Sequence, residues 1–382
     1  MYLSRLFLPL VFTVHVSSEA LGSVLTASSA SLSTLSSLLA GVPDVVQLLS
    51  TARNITILAP SNNAFTKLLA RNPRAAELMQ NPRLLTGVLQ YHVLAGRVPA
   101  SEFSTTPKFM PTMLTAPFAN VTGGQRVELA RVNETSMIFS GYKQSAMVTT
   151  ADVEFDGGLI HIIDTVLTVP ATPGSTAVNT GLTSLAGALQ RVQLLDGLNL
   201  LTDATIFAPS NDAFEAIGSA LNTLSLNDLS SILGYHVLAT PGQVRFSTDL
   251  LVLDNPRNLT SIQGQNITIR RENGQLFVNS ARVLIADILT TNGVVHVIDN
   301  VLNPLNASAT PIPSATTQAP AFSGVSSVID SPFTSGIVPT ATFIPATVPL
   351  SNSAPGAGAP LASKAPYMAI MVAAVMALVA SL

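Results

Sequence analysis

Three blocks of sequence occur twice in the same order, and this recurrence limits the possible folds more than any other feature. Thr56-Ile57-Leu58-Ala59-Pro60-Ser61-Asn62-Asn63-Ala64-Phe65 returns as Thr205-Ile206-Phe207-Ala208-Pro209-Ser210-Asn211-Asp212-Ala213-Phe214. Tyr91-His92-Val93-Leu94-Ala95 returns as Tyr235-His236-Val237-Leu238-Ala239. Gly157-Gly158-Leu159-Ile160-His161-Ile162-Ile163-Asp164 returns as Asn292-Gly293-Val294-Val295-His296-Val297-Ile298-Asp299. An ordered triple recurrence implies a duplicated domain, with one copy over 21–170 and the other over 171–303, each of ordinary domain size.

Each block has a local physical reading. Thr-Ile-Leu/Phe-Ala is a short buried strand that stops at proline, which has no N–H to continue a ladder. Ser61 and Ser210 follow at N-cap positions, opening helices that carry Phe65 and Phe214, and Asp212 suits the positive end of the second. Upstream, Leu32, Leu35, Leu39, Val42 and Val46 recur at helical spacing, as do Leu182, Leu185, Leu189 and Val192. Ser225 with Asp228 reads as a capping box, and Gly234 as the end of that helix. Beyond Tyr-His the period changes to two: Val127 and Leu129, and Ile267 and Ile269, alternate with charged neighbours. Asn273-Gly274 predicts a hairpin turn, and Gly157-Gly158 and Asn292-Gly293 predict turns into a final strand. Helices first and antiparallel strands later make each copy an α+β domain.

Composition narrows the class. Only 10% of the 382 residues are charged, for a net charge of -3, so no basic surface points to nucleic acid. Cysteine is absent, which removes disulfides, thiolate nucleophiles and Cys-ligated metals. Each domain must then stand on apolar burial, for which 47% hydrophobic residues suffice.

Both ends read as processing signals. Arg5 followed by Leu6-Phe7-Leu8-Pro9-Leu10-Val11-Phe12 predicts a secretory signal peptide over 1–20, with Ser18 and Ala20 at the small-residue positions. The apolar terminus from Pro366 to Leu382, with small residues upstream, predicts a glycosylphosphatidylinositol signal over 357–382 and attachment at Asn352 or Gly356. The segment 304–356, rich in Pro, Ser, Thr and Ala, reads as an unfolded stalk that carries O-linked sugar. Six Asn-x-Ser/Thr sequons, at Asn54, Asn120, Asn133, Asn258, Asn266 and Asn306, are candidate N-glycosylation sites.

The three repeated blocks resemble the signatures of the fasciclin (FAS1) family, over roughly residues 24–303. Leu58 stands where Phe is usual, and Gly157-Gly158 where Asn-Gly is usual. The resemblance implies two tandem β-sandwich wedges with packed helices, and a role in cell adhesion or in organising matrix or cell wall. Its partner would be a surface, matrix or wall component, protein or glycan. The outer membrane leaflet would be reached through a lipid anchor, with a vacuolar or endomembrane location as the alternative. It also implies binding roles for Asp287-Ile288 and for the Tyr-His pairs Tyr91-His92 and Tyr235-His236. The residues by themselves also read as Ile288 in the core with Asp287 capping a turn, and as His92 and His236 rings that hydrogen-bond backbone at a helix-to-strand junction. Ala151-Asp152-Val153 is the weaker match to Asp-Ile in the first copy. A binding module for a small apolar ligand or wall polysaccharide, and a purely structural wall glycoprotein, are the alternatives.

The remaining chemistry points away from catalysis. His161 with Asp164 and His296 with Asp299 have a spacing that a general base and its carboxylate could use. On a strand, however, residues i and i+3 face opposite sides. No Gly-x-Ser-x-Gly elbow, His-Glu-x-x-His, EF-hand or phosphate loop occurs, so no cofactor or metal is expected.

Overall fold

The computed structural model describes residues 19–72, 74–252 and 256–347. The candidate anchor residues Asn352 and Gly356, and most of the predicted signal peptide, lie outside them. Each copy sets a layer of helices against a seven-stranded ladder.

In domain 1 the strands are β1 (Ile55–Pro60), β2 (Val93–Leu94), β3 (Lys108–Pro111), β4 (Arg126–Val132), β5 (Thr135–Phe139), β6 (Ser145–Phe155) and β7 (Gly158–Ile163), in the order β2-β1-β7-β6-β5-β4-β3. Domain 2 repeats this with β8 (Ala204–Pro209), β9 (Val237–Ala239), β10 (Arg257–Thr260), β11 (Asn266–Glu272), β12 (Gln275–Val278), β13 (Ala281–Thr290) and β14 (Gly293–Ile298). Its order is β10-β11-β12-β13-β14-β8-β9. One expectation is corrected here: the first and last repeated blocks pair parallel, β1 with β7 and β8 with β14. All four strands are buried at every position, the continuous apolar burial that parallel pairing carries. Gly158 and Gly293 open the closing strands at φ +152° and +153°, where a Cβ would overlap the carbonyl oxygens of Ile55 and Ala204. Glycine is required at both by close backbone approach.

β1 divides the core of domain 1. Ile57 and Ala59 join Leu32, Leu35, Leu39, Phe65, Leu85 and Leu89 under the helices, while Leu58 faces Tyr91, Val127, Leu129 and Ile138 inside the ladder. Ser61 and Ser210 each accept the amide three residues on, at 3.2 Å, as N-caps do. The Ser225–Asp228 capping box is present, but the helix Leu226–Tyr235 runs past Gly234 and is capped by His236. Val46 also departs from its predicted stripe. Pro43 starts a new helix, Pro43–Thr51, which buries Val45 and Leu49 and leaves Val46 at the surface.

The two domains meet along a polar seam with an aromatic centre. The amide of Asn120 donates to the Thr291 carbonyl (2.7 Å) across the seam, and the Thr291 amide is itself held within domain 2 by the Ala171 carbonyl (2.9 Å). The Asp203 carboxylate accepts the Thr122 amide (2.7 Å) and hydroxyl (2.6 Å), and Gln125 Nε2 donates to the Thr290 carbonyl (2.9 Å). Phe109 of domain 1 stacks on Phe246 of domain 2, with ring centroids 4.1 Å apart.

The expectation of an unfolded stalk is corrected for 304–347. Apart from one turn at Pro304–Asn306 the segment has no regular structure, yet it lies on the folded chain. Phe322, Val325, Phe333 and Ile337 pack against the helix-side core of domain 2. Phe343 stacks on Tyr142 of domain 1 at 4.2 Å, and the Ala346 amide reaches the Lys143 carbonyl. Phe322, Val325, Phe333, Ile337 and Phe343 thus find hydrophobic seats, while Leu305, Ile312, Ile329, Val338 and Ile344 stay exposed. The burial of the seated residues offsets the ordering of the segment.

Candidate functional site

The six residues singled out for binding are all buried, and the structure gives each an internal task. The Tyr91 hydroxyl donates to the Arg126 carbonyl (3.0 Å), and the Tyr235 hydroxyl to the Asn266 carbonyl (2.7 Å). His92 lies at a helix end: its Nδ1 donates to the Val88 carbonyl (2.8 Å), and its Nε2 accepts the Leu167 amide (2.9 Å). His236 repeats this with Ile232 (2.7 Å) and Leu302 (2.9 Å). A carbonyl can only accept and an amide can only donate, so each ring must be neutral with its proton on Nδ1. Burial drives both pKa values down to about 4.

The strand histidines use the other tautomer. His161 Nε2 donates to the Val98 carbonyl (2.8 Å) and its Nδ1 accepts the Asp152 amide (3.1 Å). His296 Nε2 donates to Arg245 (2.8 Å) and its Nδ1 accepts from Asp287 (3.3 Å). The Asp287 carboxylate also lies 4.0 Å from His296 Nδ1, but a ring already accepting at that nitrogen carries no charge there, so no ion pair forms. Asp164 is turned away from His161, toward the Met147 amide and Lys67. Asp299 accepts the Arg282 amide (2.7 Å). The four rings staple loops to helices and strands, and neither spaced His/Asp pair converges.

Asp287-Ile288 sits where β13 shifts register against β14. Asp287 takes φ +65° and its carboxylate accepts the Ser247 amide at 2.8 Å, while Ile288 is fully buried in the helix-side core. Asp152 does the same in β6, at φ +56°, accepting from Ala100. The pair is thus a bulge that turns one strand and fastens a loop to it. Its side chains face inward, so neither offers a contact surface.

Among the concave surfaces of domain 1 is an apolar groove of about 120 Å³ beside His92. Phe65 and Leu68 line one wall, Met79, Val88 and Leu89 another, and the segment 166–172 closes its floor near the seam. Sequence reasoning marked Phe65 and His92 but not the groove. The signal that would have found it is the difference between copies. Ser37 and Leu69 stand in domain 1 where domain 2 has Gly187 and Gly218, whose missing Cβ atoms make room for the tail at Phe333 and Val328. Among the described residues no cluster of His and carboxylate side chains could hold a metal ion.

Two copies of one α+β module, each closed by parallel pairing of its first and last repeated blocks and joined across a seam, define a tandem-domain protein. The chain belongs to the fasciclin domain family, whose model matches residues 30–170 and 180–304. It is 36% identical over 82% of its length to a fasciclin-like arabinogalactan protein of Arthroderma benhamiae, covering 74% of that protein. A second fasciclin-like arabinogalactan protein, from Phaeosphaeria nodorum, is 30% identical over 79% of this chain and 93% of its own. Human periostin is 28% identical over 65% of this chain and 27% of its own. Among solved structures, the FAS1 domain pair of insect fasciclin I aligns at a TM-score of 0.35 and 19% identity, covering 72% of this chain and 98% of that one. These relatives support a role at the cell surface or in the cell wall.

Proposed function

We propose that this chain is a secreted glycoprotein, held by lipid at the outer membrane face or in the wall, whose tandem fasciclin domains mediate adhesion or organise the surrounding matrix. The observation that carries the reading is the fixed pairing of the two domains, with the groove of domain 1 open beside the seam. A single small groove binds weakly, but many copies on a surface raise avidity without any tight site. The packed tail alters the expected geometry. With residues up to Ala346 laid on the domains, an anchor at Asn352 or Gly356 leaves a tether of no more than about 35 Å even fully extended. The domain pair then sits close to its membrane.

Coating a surface with the secreted protein and counting retained cells of the native organism tests this, with albumin as control. Retention above albumin is expected. Retention equal to albumin, with fragile walls in cells lacking the protein, moves the reading to a purely structural component. A second reading, a module for a small apolar ligand, is favoured by the groove's lining. Loss of retention on adding a soluble wall glycan would favour the polysaccharide alternative.

The sequons divide in the same reading. All six asparagines are exposed, but Asn120 Nδ2 donates to the carbonyls of Leu200 (3.2 Å) and Leu201 (3.0 Å) across the seam. Asn306 Nδ2 donates to Ala321 in the tail (3.0 Å). A sugar on Nδ2 would remove those bonds and fill the space they span. Glycopeptide mass spectrometry of the secreted protein should find sugar at Asn54, Asn133, Asn258 and Asn266 and none at Asn120 or Asn306. A fully occupied Asn120 would mean that the mature protein does not close this seam.

A further inference from the structure

The groove of domain 1 has a counterpart in domain 2, and there it is filled. Pro209, Phe214, Leu229, Ile232, His236 and Val301 stand at the positions of Pro60, Phe65, Leu85, Val88, His92 and Val166. Against that core lie Phe322 and Val325 of the chain's own tail, with Phe333 edge-on to Phe214 at 6.2 Å. Asparagines following β14 hold the backbone of this segment. Asn300 Nδ2 donates to Ala319 (2.7 Å), and Asn303 and Asn306 donate to Ala321 (3.2 and 3.0 Å). Ser219 and Ser326 exchange two further bonds, and Ser331 donates to the Glu215 carboxylate.

We infer that the open groove of domain 1 is a docking site for a short, extended, uncharged peptide with one aromatic anchor, of the chemistry of Ala319-Pro320-Ala321-Phe322-Ser323-Gly324-Val325. The fold has solved the same surface twice from the same residue types, and the one occupant visible on it is a peptide of this kind. Its length is limited by the differences between copies. Ser37 and Leu69 close the path that Phe333 and Val328 follow over Gly187 and Gly218, so only the Phe322–Val325 portion has an equivalent seat. Affinity is limited too. Thr165, Thr168 and Ala171 replace Asn300, Asn303 and Asn306, and domain 1 lacks those amide clamps on the peptide backbone. A free segment docks weakly and reversibly, as suits contacts made in large number between facing surfaces. The inference names the occupant of the groove invoked for the proposed function.

The test is a titration of the purified full chain into a fluorescein-labelled synthetic peptide of residues 319–325, read by anisotropy. Saturable binding is expected, with a Phe322→Ser peptide at least about tenfold weaker because a buried aromatic anchor dominates such contacts. The peptide change leaves the protein untouched, so this comparison holds whatever becomes of any protein variant. Leu68→Lys, at a half-buried wall position, should weaken the native peptide to the same degree while far-ultraviolet circular dichroism stays unchanged. Equal binding of the two peptides overturns the inference. So does binding undiminished by Leu68→Lys, since the peptide would then be exchanging with the tail on domain 2. Uptake of labelled palmitate without peptide binding also overturns it and assigns the groove to acyl chains. Absent peptide binding with intact cell retention removes this inference alone. Peptide binding without retention removes the adhesive reading alone.

Discussion

The free energy of unfolding should fall by about 3 kcal/mol for each of His92 and His236 as pH is lowered from about 6.5 to about 4. The sign follows from the hydrogen bonds. In each ring Nδ1 donates to a carbonyl and Nε2 accepts a backbone amide, so a proton added at Nε2 would face an N–H with no acceptor. Burial works in the same direction, and is the larger cause of the depressed pKa. The unfolded chain binds these protons near pH 6.5, whereas the folded chain refuses them until about pH 4. The loss is therefore absent above pH 6.5 and complete near pH 4. His296 is lowered as well, again by burial first, and adds to the same slope. Urea titrations across this range measure it. The double variant His92→Gln/His236→Gln should start less stable at pH 7 and show a much flatter acid limb. Parallel profiles for the variant and the natural protein would place the acid sensitivity elsewhere.

How far the sequence carried the reading depends on how local the determining physics is. The Ser61 and Ser210 caps and the Ser225–Asp228 box were legible because a cap is set by four consecutive residues. The structural use of the histidines was legible in part. Strand geometry excluded the His161–Asp164 and His296–Asp299 pairs, and the helix-to-strand junction pointed to backbone-bonded rings at His92 and His236, but the backbone partners of His161 and His296 were not legible. Parallel pairing of β1 with β7 was not legible, since about a hundred residues separate partners whose apolar runs suit either orientation. A core Ile288 with Asp287 capping a turn was legible as the alternative to binding, but the strand bulge that achieves it was not, because a register shift moves a side chain from one face to the other without altering the residue pattern. The tail was misread for a compositional reason. Phe322, Phe333 and Phe343 are too widely spaced to form a core of their own, and they become buried only because domains 1 and 2 supply the other wall.

Glu128 shows the same limit at the level of one side chain. Its alternation with Val127 and Leu129 predicts a solvated carboxylate, but all three are buried, and Glu128 lies opposite Phe109 in the β3–β4 register, beside the seam. Lys143, itself buried, meets it at 2.7 Å, with the ammonium 5.5 Å from the Phe139 ring. Burial pushes the Glu128 carboxyl up to about 7, with Lys143 opposing that rise and Asp287 adding to it. Lys143→Met should therefore be strongly destabilising, at about 3–5 kcal/mol at alkaline pH where the carboxyl stays ionised, because it strands a carboxylate without its counter-charge. Glu128→Leu/Lys143→Met should recover most of that loss, since the desolvation of both ions disappears together. The pH dependence of the single variant separates this cause from a packing defect. Without Lys143 the carboxyl rises further, so the folded chain takes up a proton that the unfolded chain binds only near its ordinary 4.5. The deficit of Lys143→Met relative to the natural protein therefore grows as pH rises above about 7 and is small and constant below it, whereas the histidine effect is a loss on the acid side. A packing defect would give a deficit that does not change with pH, and urea titrations at pH 8 and pH 5 distinguish the two.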